Sequence, residues 1–223
     1  RVDLPDWKTR HVHLDFVMND NVDCVSLDNN ATTTKRWFSG WNASSAEAFA
    51  SYCEWLGVDS MLLDAVPCQG FATYDSDYLP KFPSLVDSGH DFIGEVTTAL
   101  RKRNIVVYFY VALVNTQQAR LRRDWSYQHY NDSVPASSSP GPCHNAPGRL
   151  QSVVNVTREL IRKYRPSAVR YDALYGTLED CTTIGDKKAY MDWFGEPMCT
   201  PWPNCSSWQR KQTFYRKTMS HWV

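Results

Sequence analysis

Residues 105–113, IVVYFYVAL, are apolar throughout and rich in β-branched and aromatic side chains. A run of this length and composition predicts a strand buried on both faces, as in a parallel sheet covered by helices. Extended by Val114 it is the longest apolar run of the chain, and it is far too short to span a bilayer. Its surroundings repeat one theme. Upstream, residues 89–104 (GHDFIGEVTTALRKRN) predict a helix, with acids early and bases late as the macrodipole prefers. Before that come a strand at 58–66 (VDSMLLDAV), a helix at 44–57 capped by Ser and closed by Gly57, and a strand at 11–18 (HVHLDFVM). Downstream, a helix is expected at about 148–165, a strand at 168–174 (AVRYDAL) and a last helix at 206–221.

Strand and helix in strict alternation imply an α/β fold with parallel strands, either a doubly wound sheet or a TIM-type (β/α) barrel. Loop placement favours the barrel. The connections after strands are long (67–88, 114–147 and 175–205), whereas those after helices are short. No Gly-rich phosphate loop follows the first strand, as a doubly wound nucleotide-binding sheet would have. Residues 1–223 thus read as one partial barrel domain holding about the first four β-α units. Its open edges call for the remainder of the polypeptide or a second chain to complete the barrel. The first residue is Arg1 rather than Met, which reads as a processed or truncated product.

Composition narrows the function classes. Net charge is zero, which gives no electrostatic footprint for nucleic acid or an anionic membrane. Five N-glycosylation sequons begin at Asn30, Asn42, Asn131, Asn155 and Asn204, where roughly one or two would arise by chance. They point to a secreted, extracellular glycoprotein; the rival reading is an accident of a Ser/Thr/Asn-rich chain. Cys24, Cys53, Cys68, Cys143, Cys181, Cys199 and Cys205 lack zinc-site spacing and read as disulfide candidates. Seven is odd, so one is left over. Cys181 with Cys199 or Cys205 is the best local pair.

Three ionisable residues, His11, His13 and Asp15, alternate with Val12, Leu14 and Phe16 on the first strand. In a barrel the polar set lines the interior, where such groups must be paired or used. Sugar binding, a His–Asp pair that only sets the strand, and a metal site all remain open, the metal least favoured because no further cluster completes it. On the fourth strand Arg170 and Asp172 share a face, and Asp172 lies near the C-terminal end, where barrel enzymes place catalytic groups. A carboxylate there can attack an anomeric carbon, with a second carboxylate as acid/base; a salt bridge to Arg170 is the rival role. Asp64, near the end of the second strand, raises the same question. Aromatic side chains crowd the loops, among them Trp41, Phe71, Tyr74, Tyr78, Trp125 and Trp193, to stack on sugars or, more plainly, to anchor the loops.

Taken in order, these pieces resemble the α-L-fucosidase-like glycoside hydrolases of the family 29 type. The carrying segments are His11-Val-His-Leu-Asp-Phe16, the Tyr74–Leu85 loop followed by Asp91-Phe-Ile-Gly-Glu95, Cys143-His-Asn-Ala-Pro147, Val169-Arg-Tyr-Asp172 and the Cys181–Cys199 loop. The resemblance implies a retaining glycosidase with a carbohydrate substrate and no metal or organic cofactor. It makes Asp172 the nucleophile and lets His11, His13 and Asp15 line the sugar pocket. One departure stands out: Ala173-Leu-Tyr-Gly follows Asp172, where typical fucosidases place Gly directly after it. The alternative from another class is a catalytically inactive barrel serving as an extracellular structural or carbohydrate-binding glycoprotein.

Overall fold

The computed structural model describes residues 10–14, 38, 40–42, 44–67, 70–113, 125, 143, 145–172, 184–198, 213 and 217. Four strands form one sheet in the order β1 (His11–Leu14), β2 (Ser60–Val66), β3 (Val106–Ala112), β4 (Ala168–Asp172), and every pair is parallel. Each strand therefore lies beside its neighbour in sequence, with helices as crossovers: α1 (Ser45–Trp55), α2 (Pro83–Ser88) with α3 (Phe92–Arg101), and α4 (Arg149–Tyr164). A further helix, α5 (Ile184–Phe194), follows β4. This is the winding of consecutive units of a barrel, as the loop lengths suggested.

The helices cover one face of the sheet. Met61, Leu63 and Ala65 of β2 and Val107, Phe109 and Val111 of β3 are buried against Ala46, Ala50 and Cys53 of α1, the apolar side of α3, and Val156 and Leu160 of α4. These sheet residues alternate with Ser60, Leu62, Asp64, Tyr108 and Tyr110 on the opposite, inner face. The expectation that β3 is buried on both faces is therefore corrected. Val106 is 40% exposed and Tyr108 and Tyr110 are half-buried, because helices pack on one side only.

Local boundaries also differ from the expectation. Ser44 makes no side-chain cap on α1; instead the Asn42 Oδ1 accepts from the Ser44 N–H at 3.0 Å and its hydroxyl at 2.7 Å. An irregular loop was expected over 67–88, yet Pro83 at the first position of α2 and Gly89 at φ +70° enclose a short helix. That stop delays α3, which starts only where the Asp91 carboxylate accepts from the Gly94 N–H at 3.0 Å. Likewise α5 lies within the stretch expected to be irregular at 176–205. Strand residues 15–18 and 173–174 and nearly all of the expected helix at 206–221 lie outside the described residues.

Cys53 must be taken off the disulfide candidates. Its thiol is free and buried in the core between α1 and the sheet, where burial pushes its pKa up. Removing it from the seven leaves six, an even number.

Candidate active site

Parallel register arranges the inner face in rows. His11 lies opposite Ser60, and Ser60 opposite Val106. One row further along, His13 is opposite Leu62, Leu62 opposite Tyr108, and Tyr108 opposite Ala168. Next come Asp64, Tyr110 and Arg170. The ladder then slips between Asp64 and Val66, and at the C-terminal edge Ala112 faces Asp172, the last residue of β4. The candidate carboxylates Asp64 and Asp172 thus belong to the C-terminal half of the sheet. Asp15 lies outside the described residues.

The first row shows what His11 does. Its Nδ1 is 2.8 Å from the Ser60 Oγ, and its ring meets Tyr108 edge-on with centroids 5.4 Å apart. Among the described residues, then, its partners are a serine from the adjacent β2 and a tyrosine from β3, one strand further on, rather than an aspartate. His11, Ser60, Leu62, Tyr108, Ala168, Val169 and Arg170 line a concavity of about 490 Å³. This hollow sits toward the N-terminal ends of the strands, away from Asp172. In barrel enzymes that end carries stability and the other end carries chemistry, so we read the hollow as the open barrel interior rather than as a substrate pocket.

Arg170 is exposed and forms no ion pair or hydrogen bond with a described residue. Asp64, by contrast, is fully buried, and its main-chain carbonyl accepts from the Thr73 hydroxyl at 2.8 Å. A buried carboxylate on the inner face is held only at a cost that a partner must offset, and Asp64 is engaged.

Two polar clusters that sequence reasoning missed hold the loops around these strand ends. After β3, the buried Arg149 donates to the Leu113 carbonyl and lies over the Trp125 ring at 5.7 Å. Asn145, from the Cys143–Pro147 segment, donates to the buried Asp186 of α5 at 3.0 Å. The segment after β3 and the helix after β4 are thereby tied together. Elsewhere, Glu159 of α4 accepts from Tyr74, Ser76, the Asp77 N–H and Lys163. Burial opposes ionisation of Glu159, but these donors outweigh it and hold its pKa below the ordinary range. Apart from the i,i+4 pair Glu159–Lys163, long-range contact defines these groups, so local spacing does not announce them.

Trp41, Phe71, Tyr74 and Trp125 pack into the core or are buried beside it, which is the anchoring role. No three His, Cys, Asp or Glu side chains converge in a metal-ligating group among the described residues. No helix among them is long and apolar enough to cross a membrane.

The sequence profile of the Alpha-L-fucosidase family matches residues 36–196, well over half of the chain. The chain belongs to the α-L-fucosidase family. Its fold is similar to that of α-L-fucosidase isoenzyme 2 from Paenibacillus thiaminolyticus, with a TM-score of 0.63 and 19% identity over 96% of this chain and 30% of that one. A fucosidase from Bacteroides thetaiotaomicron matches at 19% identity and a TM-score of 0.46 over 72% of this chain and 33% of that one. The chain thus spans about a third of the length of the fucosidase structures it matches. No match to a curated protein was found.

Proposed function

We propose that this chain is the part of a secreted, glycosylated retaining α-L-fucosidase-like hydrolase that carries the nucleophile, Asp172. The observation behind this reading is the position of Asp172 as the last residue of β4 in a parallel sheet of the fucosidase family. Strand C-terminal ends are where this architecture gathers catalytic groups. In a retaining mechanism the carboxylate attacks the anomeric carbon and the leaving oxygen takes a proton from a separate acid. Arg170, two residues earlier and free of other partners among the described residues, would orient Asp172 or hold a substrate hydroxyl. The substrate is a fucosylated carbohydrate, and the remaining barrel units come from further polypeptide or a second chain. Secretion is supported by the sequons.

The test uses the native polypeptide that contains these residues, assayed on aryl α-L-fucosides. Asp172→Gly should lower kcat by about 10³-fold or more, and azide should restore turnover by serving as an external nucleophile. Full activity in Asp172→Asn would remove the assignment. A wild type that binds glycans but turns over no aryl glycoside would favour the inactive carbohydrate-binding barrel instead.

A further inference from the structure

Helix α1 presents two aromatic rings to solvent. Trp55 is 77% exposed and Tyr52 is 56% exposed. Three residues apart, they stand on the side of the helix opposite the buried Ala46, Ala50 and Cys53. The flank toward α3 is occupied by Glu47, Ser51 and Glu54, which engage Lys102 and Arg103. The other flank carries Leu56, whose carbonyl receives Arg10 beside β1. The pair therefore points away from the sheet.

The rings are nearly parallel, with an interplanar angle of 25° and centroids 5.8 Å apart. Rings in closed face-to-face contact would lie about 3.5–4 Å apart, so these two are offset and keep much of their faces open. Ser51, one turn before Trp55, and Glu54 beside it are both held by Arg103 on the side toward α3, which leaves the Ser51 hydroxyl proton and the second Glu54 carboxylate oxygen for a ligand at the rim. Flat apolar faces with hydrogen-bonding groups at their edge match a pyranose, whose axial C–H groups meet the electron-rich ring face while its hydroxyls reach the rim. Size argues against a protein partner. Two aromatic side chains can bury about 150–250 Å² each, against about 800 Å² per partner in a stable protein interface.

We infer that Tyr52 and Trp55 form a surface platform that binds a neutral oligosaccharide chain at a site separate from Asp172. This goes beyond the catalytic reading, sharing with it only the carbohydrate chemistry of the family. Native affinity electrophoresis of the full chain tests it, through gels containing a soluble β-glucan, a galactomannan or a fucose-bearing polysaccharide, beside sedimentation velocity. At least one polysaccharide should retard the wild type; Trp55→Ala and Tyr52→Ala should run as in the empty gel, and Trp55→Phe should keep partial retardation. Asp172→Asn should be retarded like the wild type, so loss of turnover and loss of the platform are separable. Three results would overturn the inference: no retardation in any gel, retardation that survives Trp55→Ala, or self-association that Trp55→Ala abolishes, which would make the patch a contact between copies of the chain.

Discussion

The Tyr74 hydroxyl donates to the Glu159 carboxylate at 2.8 Å, joining residues 85 positions apart in a fully buried contact. The bond fastens the segment after β2 to helix α4, and Ser76 and the Asp77 N–H add to it at 2.6 and 2.7 Å. Removing the carboxylate strands the buried Tyr74 hydroxyl and takes the partner from two part-buried donors as well. Glu159→Ala should therefore cost about 3 kcal/mol, while Tyr74→Phe, which leaves the other donors in place, should cost about 1 kcal/mol. Urea midpoints of the two variants at neutral pH check the ratio.

The same carboxylate gives an acid dependence of defined sign. Its folded pKa is depressed, so its contribution is present above the unfolded carboxylate value of about 4.3 and is lost as pH falls through the lower folded value. In Glu159→Gln the loss of stability between neutral pH and acid should be shallower than in the wild type. Equal slopes would show that Glu159 does not titrate as described.

Asp91 behaves in the opposite direction. Burial pushes its pKa up, against the Gly94 N–H and the Tyr164 hydroxyl, which favour the charged form. Stability from this group is fullest at low pH and declines as pH rises through the raised folded value. An amide keeps the Gly94 cap through its oxygen and can donate its NH2 to the Tyr164 oxygen, reversing that bond, without the buried charge. Asp91→Asn should thus be neutral or slightly stabilising at neutral pH, whereas Asp91→Ala should lose about 1 kcal/mol with its helix cap. Thermal melts of the pair decide it.

Cys53 is buried and free, and its raised pKa keeps it a thiol. A thiol reagent without reductant should leave Cys53 unlabelled in the native protein and modify it after denaturation. Peptide mapping that found Cys53 in a disulfide would contradict its place in the core.

Among the sequons whose asparagine is described, Asn42 is exposed just before α1, whereas Asn155 is half-buried on α4 and accepts from Gln151. On the proposed glycoprotein reading, Asn42→Gln expressed through a eukaryotic secretory pathway should lose one glycan, seen as a mass shift that glycosidase treatment erases. An unchanged mass would mean that Asn42 is unmodified.

The alternation of apolar runs with amphipathic stretches made the four strands and their helical crossovers legible, because each is a local pattern. The row opposite Asp64, by contrast, depends on register, and no residue near Asp64 in sequence announces Tyr110 or Arg170. The half-open face of β3 was hidden because Tyr108 and Tyr110 count as apolar wherever they point. Loop aromatics drew attention as sugar contacts, yet Trp41 and Tyr74 turned inward while Tyr78 stays exposed, and the exposed stacked pair Tyr52 and Trp55 lies on a helix whose pattern reads as ordinary amphipathicity. Which aromatic is surplus to a core emerges only when the core is assembled.

The strand order has a meaning for how this polypeptide is made. Each of β2, β3 and β4 pairs with the described strand synthesised just before it, so each finds its partner already in place. Units can therefore be laid down at the growing edge as they leave the ribosome, each new crossover helix sealing the outer side of the strand it has just passed. Assembly from one end to the other would confine the unpaired edges to β1 and the most recent strand, which shortens the time in which each new strand waits for company.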